Sequence, residues 1–130
     1  MPKASCVLLI DKINKLFLSV SLKTDKTDFN LPSGKVEKSE TFKPAAIREM
    51  KEETGLNIKE ENLAIFQENI VKNYYVITFI TNKWSGEIYT QEKGIVKWLP
   101  YIYLTKSKTW EKENSDLYIK LMAMEDEHYI

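Results

Sequence analysis

Cysteine and arginine occur only once each in the 130 residues, and no long apolar run is present. The single cysteine, Cys6, excludes an internal disulfide and a metal centre made of several thiolates. It lies within the apolar run 5–10, where a buried structural thiol is favoured over a reactive one. No segment approaches the roughly 18 apolar residues of a membrane-spanning helix, and the N-terminus lacks the pattern of a signal peptide. These absences predict a cytoplasmic protein without a membrane partner.

The sequence also lacks a net charge, since 19 basic residues balance 19 acidic ones. A protein that wraps a nucleic-acid polymer needs a basic surface, so this class of partner is not expected, although individual nucleotides are. The composition, 43% hydrophobic and 29% charged, is typical of a folded globular protein. Its length suits one domain and is too short for two, so we predict a single domain over residues 1–130, as a monomer or a homodimer.

Apolar periodicity predicts an α/β protein. A helix should follow the loop that contains Ser33 and Gly34, with Thr41 as its N-cap, Pro44 tolerated in its first turn and Gly55 at its end. A turn is expected at 84–87 and a closing helix at 110–124. Strands are predicted at 6–10 and 16–22, which could form a hairpin, and at 63–71, 74–81 and 95–99.

Three carboxylates share one side of the first helix. At about 100° per residue, Glu49, Glu52 and Glu53 fall within an arc of roughly 100°, while Phe42, Ala46, Ile47 and Met50 form a neighbouring apolar stripe. Clustered carboxylates repel one another unless a cation compensates, and hard oxygen ligands favour magnesium or manganese. The alternative is an acidic helix face that only contacts water, which is the usual role of a charge run.

The segment from Gly34 to Leu56 resembles the Nudix box. That pattern is Gly, five residues, Glu, seven residues, Arg-Glu, an aliphatic, any residue, Glu-Glu, any residue, Gly and an aliphatic. The only arginine of the chain falls on the arginine of the motif. Every position of the pattern is matched, by Gly34, Glu40, Arg48, Glu49, Met50, Glu52, Glu53, Gly55 and Leu56.

The resemblance implies the Nudix fold, an α-β-α sandwich with a central mixed sheet, and a Mg²⁺ or Mn²⁺ dependent hydrolase of phosphoric anhydride bonds. It implies that Glu49, Glu52 and Glu53 bind the metal and that Arg48 and Glu40 pair to hold the loop against the helix. An incidental surface ion pair is the alternative for the last two residues.

The reaction implied is attack of a metal-activated water on a phosphorus of a diphosphate. The general base varies within the family. We consider Glu53 first and Glu92, in the loop before the strand at 95–99, as a candidate outside the box. A loop carboxylate that only contacts water is an equally good interpretation of Glu92.

The sequence departs from the family at one position, where Pro32-Ser33-Gly34 replaces the Pro-Gly-Gly of many members. The backbone carbonyl there often helps to bind metal, which makes Ser33 a candidate ligand. If the position requires positive φ, serine would be strained.

The substrate is less well defined by the sequence. The length and the segment from Trp110 to Asn114 resemble the MutT branch, which removes oxidised guanine nucleotides. The Asn114 amide could bind a purine edge, or could equally cap the last helix. Phe29, Tyr75 or Trp110 could stack on a base, although each could instead be a core residue.

We therefore predict hydrolysis of a nucleoside triphosphate, such as 8-oxo-dGTP, to a monophosphate and pyrophosphate. Dinucleoside polyphosphate hydrolysis is the alternative, because Tyr74 lies near a position where that branch often carries a tyrosine. A second alternative is a Nudix module that senses a nucleotide without cleaving it. Such modules usually lose box glutamates, and this chain retains all of them.

Overall fold

Seven strands form one mixed sheet in the computed structural model, which describes residues 1–89 and 94–126. The order of the main path is β3-β2-β1-β6-β5, with β4 paired to β1 and β7 paired to β2. The strands are β1 (Lys3–Asp11), β2 (Leu16–Ser21), β3 (Phe29–Asn30), β4 (Ser33–Lys35), β5 (Ala64–Val71), β6 (Tyr74–Thr81) and β7 (Val96–Pro100).

Strand β1 is the central element of the sheet. It pairs antiparallel with β2 at its end, antiparallel with β4 at its start, and in parallel with β6 from the Lys3 and Tyr75 pair onward. The predicted hairpin of the first two strands is confirmed, and the Asp11 carboxylate accepts hydrogen bonds from the backbone of its turn. Strands β5 and β6 form a second hairpin, whose turn residues Lys72 and Asn73 both have positive φ.

Helix α1 (Phe42–Thr54) confirms the helix expected from the motif. Thr41 precedes it in an extended conformation without a side-chain capping hydrogen bond. Gly55 ends the helix with a φ of 83°, a left-handed conformation that glycine adopts without strain, and its N–H donates to the Lys51 carbonyl. Helix α2 (Glu111–Asp126) is the predicted closing helix. Single turns of 3₁₀ helix occupy Glu60–Asn62 and Tyr101–Thr105.

The two helices cover opposite faces of the sheet, as the alternation of side chains along β1 shows. Val7 and Leu9 pack with Met50 of α1, whereas Leu8 and Ile10 pack with the α2 side. On the α1 side the buried core also contains Leu18, Ala46, Leu56, Ile58, Leu63, Ile77 and Phe79. On the α2 side it contains Phe17, Leu31, Phe66, Ile80, Tyr101, Leu104, Leu117 and Leu121. The α-β-α sandwich is therefore confirmed.

Neither described helix is both long and apolar enough to cross a membrane.

Candidate active site

Arg48 joins α1 to the loop that precedes it. Its Nε donates to Glu40 Oε2 at 2.8 Å, and its Nη2 donates to Glu40 Oε1 at 2.9 Å and to the Lys35 carbonyl at 3.0 Å. The side chains of Arg48 and Glu40 are only 25% and 17% exposed. A bidentate, partly buried pair is stronger than an incidental surface pair, so the predicted brace is present. The hydrogen bonds from Arg48 lower the pKa of Glu40, and those to Glu40 raise the pKa of Arg48.

The same guanidinium organises two of the three helix carboxylates. Arg48 Nη1 donates to Glu49 Oε1 at 2.7 Å and lies 3.4 Å from Glu52 Oε2. Two acidic groups therefore share one cationic nitrogen, which offsets their mutual repulsion. The Glu52 side chain is 38% exposed, so this part of the helix is accessible to solvent.

Glu53, the third carboxylate, is held by strand β4. Its Oε1 accepts a hydrogen bond from the Ser33 backbone N–H at 2.8 Å. Ser33 lies in β4 and is not among the described non-glycine residues with positive φ, so the strain anticipated for serine here is absent. The condition for strain, a positive φ, is not met, because regular pairing with Cys6 keeps the Ser33 backbone extended.

Gly34 lets β4 lie directly against the helix. A Cβ built on Gly34 would stand 2.2 Å from the Glu49 carboxyl carbon, closer than any ordinary contact. The glycine of the motif is therefore required for close approach rather than for an unusual backbone conformation, since its φ is not positive. The three carboxylates and β4 form one surface, which we call the acidic edge: Glu49, Glu52, Glu53, Ser33 and Gly34.

The donor set of the acidic edge suits a hard divalent cation, because carboxylate oxygens are the ligands that Mg²⁺ and Mn²⁺ prefer. Glu49 and Glu52 already approach one positive group together. Within residues 1–89 and 94–126, however, no group of three or more His, Cys, Asp or Glu side chains is arranged to hold a metal ion. Arg48 and the Ser33 amide orient the carboxylates instead, so the convergence of all three on one ion stays a prediction.

A cavity of about 240 Å³ lies on the other side of β4, beneath α2. Its walls come from β1, β3, β4, β5, β6 and α2, and they are mostly apolar, with polar groups at a few places. A mostly apolar lining with a few polar groups is typical of a small-molecule site. The lining residues are Ala4, Cys6, Asn30, Leu31, Ser33, Gly34, Lys35, Gln67, Asn69, Val71, Lys72, Tyr74, Val76, Thr78, Trp110, Glu113, Asn114 and Leu117.

Asn114 lies in this cavity and not at the end of a helix. Helix α2 begins at Glu111, so Asn114 occupies its first turn and the interpretation as an N-cap was wrong. The residue is only 4% exposed, and its Nδ2 donates to Asn30 Oδ1 at 3.1 Å. An amide has two donor protons and one acceptor oxygen, so this bond leaves Asn114 with further hydrogen-bonding capacity.

Trp110 also lines the cavity, where the Lys72 ammonium lies 4.2 Å from the centre of its ring. The other two aromatic candidates lie elsewhere. Phe29 packs against Phe17 in the α2-side core, and Tyr75 packs edge-on against Phe42 on the α1 face. Neither lines the cavity, so their assignment as base-stacking residues stays a prediction that this cavity does not support. Glu92, the candidate base outside the box, lies outside the described residues.

Sequence reasoning missed Asn30 and Tyr74 as cavity residues. Residues 74, 76 and 78 of β6 face the cavity, whereas residues 75, 77 and 79 face α1 or its core. The period of two along a strand was the available signal, but a single strand does not reveal which of its faces meets the cavity.

Cys6 lies on the cavity wall and is half-buried. Burial raises the pKa of its thiol to about 11, although hydrogen bonds with Ser33 and Thr78 oppose this shift. The thiol is therefore protonated near neutral pH, which agrees with a structural role.

The NUDIX domain model matches residues 1–121 of the chain. A curated relative, the 8-oxo-dGTP diphosphatase of Buchnera aphidicola subsp. Schizaphis graminum (strain Sg), is 30% identical over 95 residues, which cover 70% of this chain and 72% of the relative.

Two solved structures have the same fold at lower identity. One comes from work on MutT of Aliivibrio salmonicida and Vibrio cholerae, with a TM-score of 0.78 and 16% identity over 95% of this chain and 98% of that one. The other is a C. elegans Ap4A hydrolase in a binary complex, with a TM-score of 0.69 and 23% identity over 94% of this chain and 97% of that one.

Proposed function

Since the chain belongs to the NUDIX domain family and is a hydrolase of pyrophosphate bonds, we propose that it cleaves a nucleoside triphosphate into a monophosphate and pyrophosphate. An oxidised guanine nucleotide such as 8-oxo-dGTP is the proposed substrate, with Mg²⁺ or Mn²⁺ as the cofactor. The arrangement of β4 carries this proposal, because Ser33 and Gly34 border the cavity on one side and contact Glu53 and Glu49 on the other.

The cavity suits the nucleoside part of such a substrate. Its apolar walls can enclose a base, and Trp110 and Tyr74 offer aromatic surfaces on which a base could stack. The Asn114 and Asn30 amides, joined by their hydrogen bond, can provide donors and acceptors to a purine edge. A relative named 8-oxo-dGTP diphosphatase supports an oxidised guanine as the base.

The acidic edge suits the phosphates. Glu49, Glu52 and Glu53 would hold the divalent cation, together with the backbone carbonyl of Ser33. A cation bound there lowers the pKa of water and neutralises charge on phosphate oxygens. Other residues of the chain position these carboxylates. Arg48 fixes Glu49 and Glu52 relative to the loop, and the Ser33 N–H fixes Glu53 next to the cavity.

Glu53 is the proposed general base within the box. Its carboxylate accepts from a backbone N–H through Oε1, so it is anchored at one oxygen beside the cavity wall. An anchored carboxylate can take a proton from water without first being ordered, which is what a general base requires. Glu92 is the proposed base outside the box.

Dinucleoside polyphosphate hydrolysis is a second candidate because Tyr74, the residue that suggested it, lines the cavity. A C. elegans Ap4A hydrolase shares the fold. Both substrates contain the same kind of bond, and they differ in what must fit beyond the phosphates.

A substrate panel tests the proposal. The purified protein with Mg²⁺ is offered 8-oxo-dGTP, dGTP, dinucleoside tetraphosphates and ADP-ribose, and the products are separated by anion-exchange chromatography. Release of pyrophosphate and a nucleoside monophosphate, fastest from 8-oxo-dGTP, is the expected result.

Other product patterns contradict this proposal in distinguishable ways. Release of a nucleoside triphosphate from a dinucleoside tetraphosphate would favour the second candidate. Equal rates with dGTP and 8-oxo-dGTP would remove oxidised guanine as the preferred base. Binding without turnover of any compound would overturn the catalytic assignment of the acidic edge.

A further inference from the structure

Asp28 is a buried carboxylate outside the acidic edge and outside the cavity that α2 covers. It is 2% exposed and lies at the end of the loop between β2 and β3. Its Oδ1 accepts from the Phe29 N–H at 2.8 Å and the Lys108 N–H at 2.9 Å, and its Oδ2 accepts from the Thr109 N–H at 3.0 Å. The Ser107 hydroxyl lies 3.1 Å from Oδ1. Three of these four partners precede α2.

The position of these donors explains why a carboxylate is buried here. Lys108 and Thr109 lie just before the first residue of α2, outside regular secondary structure, so their N–H groups need an acceptor from elsewhere, and the helix dipole favours a negative charge near that end. Asp28 provides both the acceptor oxygens and the negative charge, from a distant part of the sequence. Burial by itself would raise the pKa of Asp28, but hydrogen bonds from Thr109, Lys108 and Phe29 outweigh it and lower the pKa to about 2.

Ser107 extends this connection into the helix. Its hydroxyl also lies 3.0 Å from the Phe29 carbonyl, and it accepts a hydrogen bond from the Trp110 N–H at 3.0 Å. The Trp110 carbonyl in turn accepts from the Asn114 N–H at 2.9 Å. A continuous set of hydrogen bonds therefore runs from Asp28 to two cavity residues, Trp110 just before α2 and Asn114 in its first turn.

A second contact joins this region to α2, and it comes from strand β3. Asn30, two residues after Asp28, accepts a hydrogen bond from the Asn114 side chain. Asp28 thus holds the backbone at the start of the helix, and Asn30 holds a side chain one turn further along. Loss of the Asp28 carboxylate would leave the N–H groups of Lys108 and Thr109 without their acceptor and allow the segment 107–110 to shift.

We propose that Asp28 is a positioning residue, which fixes the start of α2 so that Trp110 and Asn114 face the cavity in the geometry that binds the nucleoside. The inference rests on the proposed function, because it assigns the cavity to the nucleoside. Asp28 does not contact the acidic edge among the described contacts, so its role concerns binding of the substrate and not the cleavage step.

Asp25 provides a matched control in the same loop. It is also a carboxylate, but it is more exposed and contacts the Lys108 ammonium at 3.3 Å and the Thr27 hydroxyl at 2.6 Å, not the backbone before α2. Asp25→Asn removes the same formal charge as Asp28→Asn. A difference between the two variants therefore reports position and not net charge.

Steady-state kinetics with Mg²⁺ and the best nucleotide from the panel test the proposal. Asp28→Ala should raise KM at least about tenfold and change kcat less than about threefold. Asp28→Asn retains an acceptor oxygen, so it should raise KM about two- to fivefold, and Asp25→Asn should match the parent protein. Equal falls in kcat for both Asp28 variants with unchanged KM would overturn the proposal.

Amide hydrogen exchange of the intact protein gives a readout that does not depend on activity. The N–H groups of Lys108, Thr109 and Trp110 should exchange at least about tenfold faster in Asp28→Asn, with the β1 and β6 amides unchanged. Unchanged exchange at these three sites would overturn the proposal even if KM rises. If Asp28→Ala does not fold, the kinetic and exchange measurements on Asp28→Asn decide the proposal.

This design separates the inference from the proposed function. If the parent protein cleaves none of the nucleotides, the proposed function fails, while exchange at 108–110 still tests whether Asp28 holds the helix. If the parent cleaves nucleotides and KM does not respond to Asp28, only the inference fails.

Discussion

The two sides of strand β4 are built in different ways. On the acidic edge, the interacting groups come from residues 33–53, and charged hydrogen bonds fix them. On the cavity side, the walls come from four separate segments, 4–6, 30–35, 67–78 and 110–117, and most of their surface is apolar. The residues proposed for catalysis thus come mostly from a short stretch of sequence, whereas the site proposed for substrate recognition depends on contacts between distant parts of the chain.

The largest expected effect is the loss of activity when a carboxylate of the acidic edge is replaced. Glu53→Gln and Glu52→Gln should each lower kcat at least about a hundredfold, since metal positioning and charge stabilisation provide much of the acceleration. Folding stability should change little, because a glutamine oxygen can still accept from the Ser33 N–H. Pyrophosphate release and thermal unfolding measure the two quantities. Full activity in both variants would refute the assignment of the acidic edge.

Low pH should reduce the folding stability that the Asp28 carboxylate contributes near the cavity. The folded-state pKa of about 2 lies below the ordinary value, so the stabilisation is present above about pH 4 and is lost as the pH falls through 2. The expected contribution is about 2 kcal/mol. Urea unfolding at pH 5 and pH 2 should show that the stability difference between the parent protein and Asp28→Asn narrows at the lower pH. An equal difference at both values would exclude this role of the charge.

Asn114→Ala should affect binding and leave cleavage intact. Loss of a buried amide that contacts Asn30 and, in the proposed function, the substrate corresponds to about 1 to 2 kcal/mol, so KM for the nucleotide should rise about tenfold. The rate kcat should stay within about threefold. Asn82→Ala, at an exposed asparagine, is the control. A fall in kcat without a change in KM would mean that the two sides of β4 are not separable.

The smallest effect is expected on the face of α1 that lies away from the acidic edge. Lys51 is exposed and donates to the Gly55 carbonyl at 3.2 Å. Lys51→Ala should leave kcat and KM within about twofold and change stability by about 0.5 kcal/mol or less. A large loss of activity would extend the site to this face, and Lys43→Ala provides a second test at the start of the helix.

The contrast between the acidic edge and the cavity side of β4 explains which features the sequence could predict. Helix α1, its end at Gly55 and the brace between Arg48 and Glu40 follow from spacing within one segment, and they were predicted correctly. The face of a strand that meets the cavity depends on pairing with distant strands, so Tyr75 was chosen where Tyr74 lines the cavity. Asp28 was not singled out, since its partners at 107–109 are far away in the sequence.

The central place of β1 has a consequence for synthesis of the chain on the ribosome. The first 56 residues contain β1, β4 and α1, so the acidic edge emerges before its neighbours. Strand β6, which pairs with residues 3–9 of β1, is made later, and α2 later still. Until then the apolar residues 7–10 lack the cover of these two elements, so we expect chaperones that bind exposed hydrophobic strands to recognise the nascent chain.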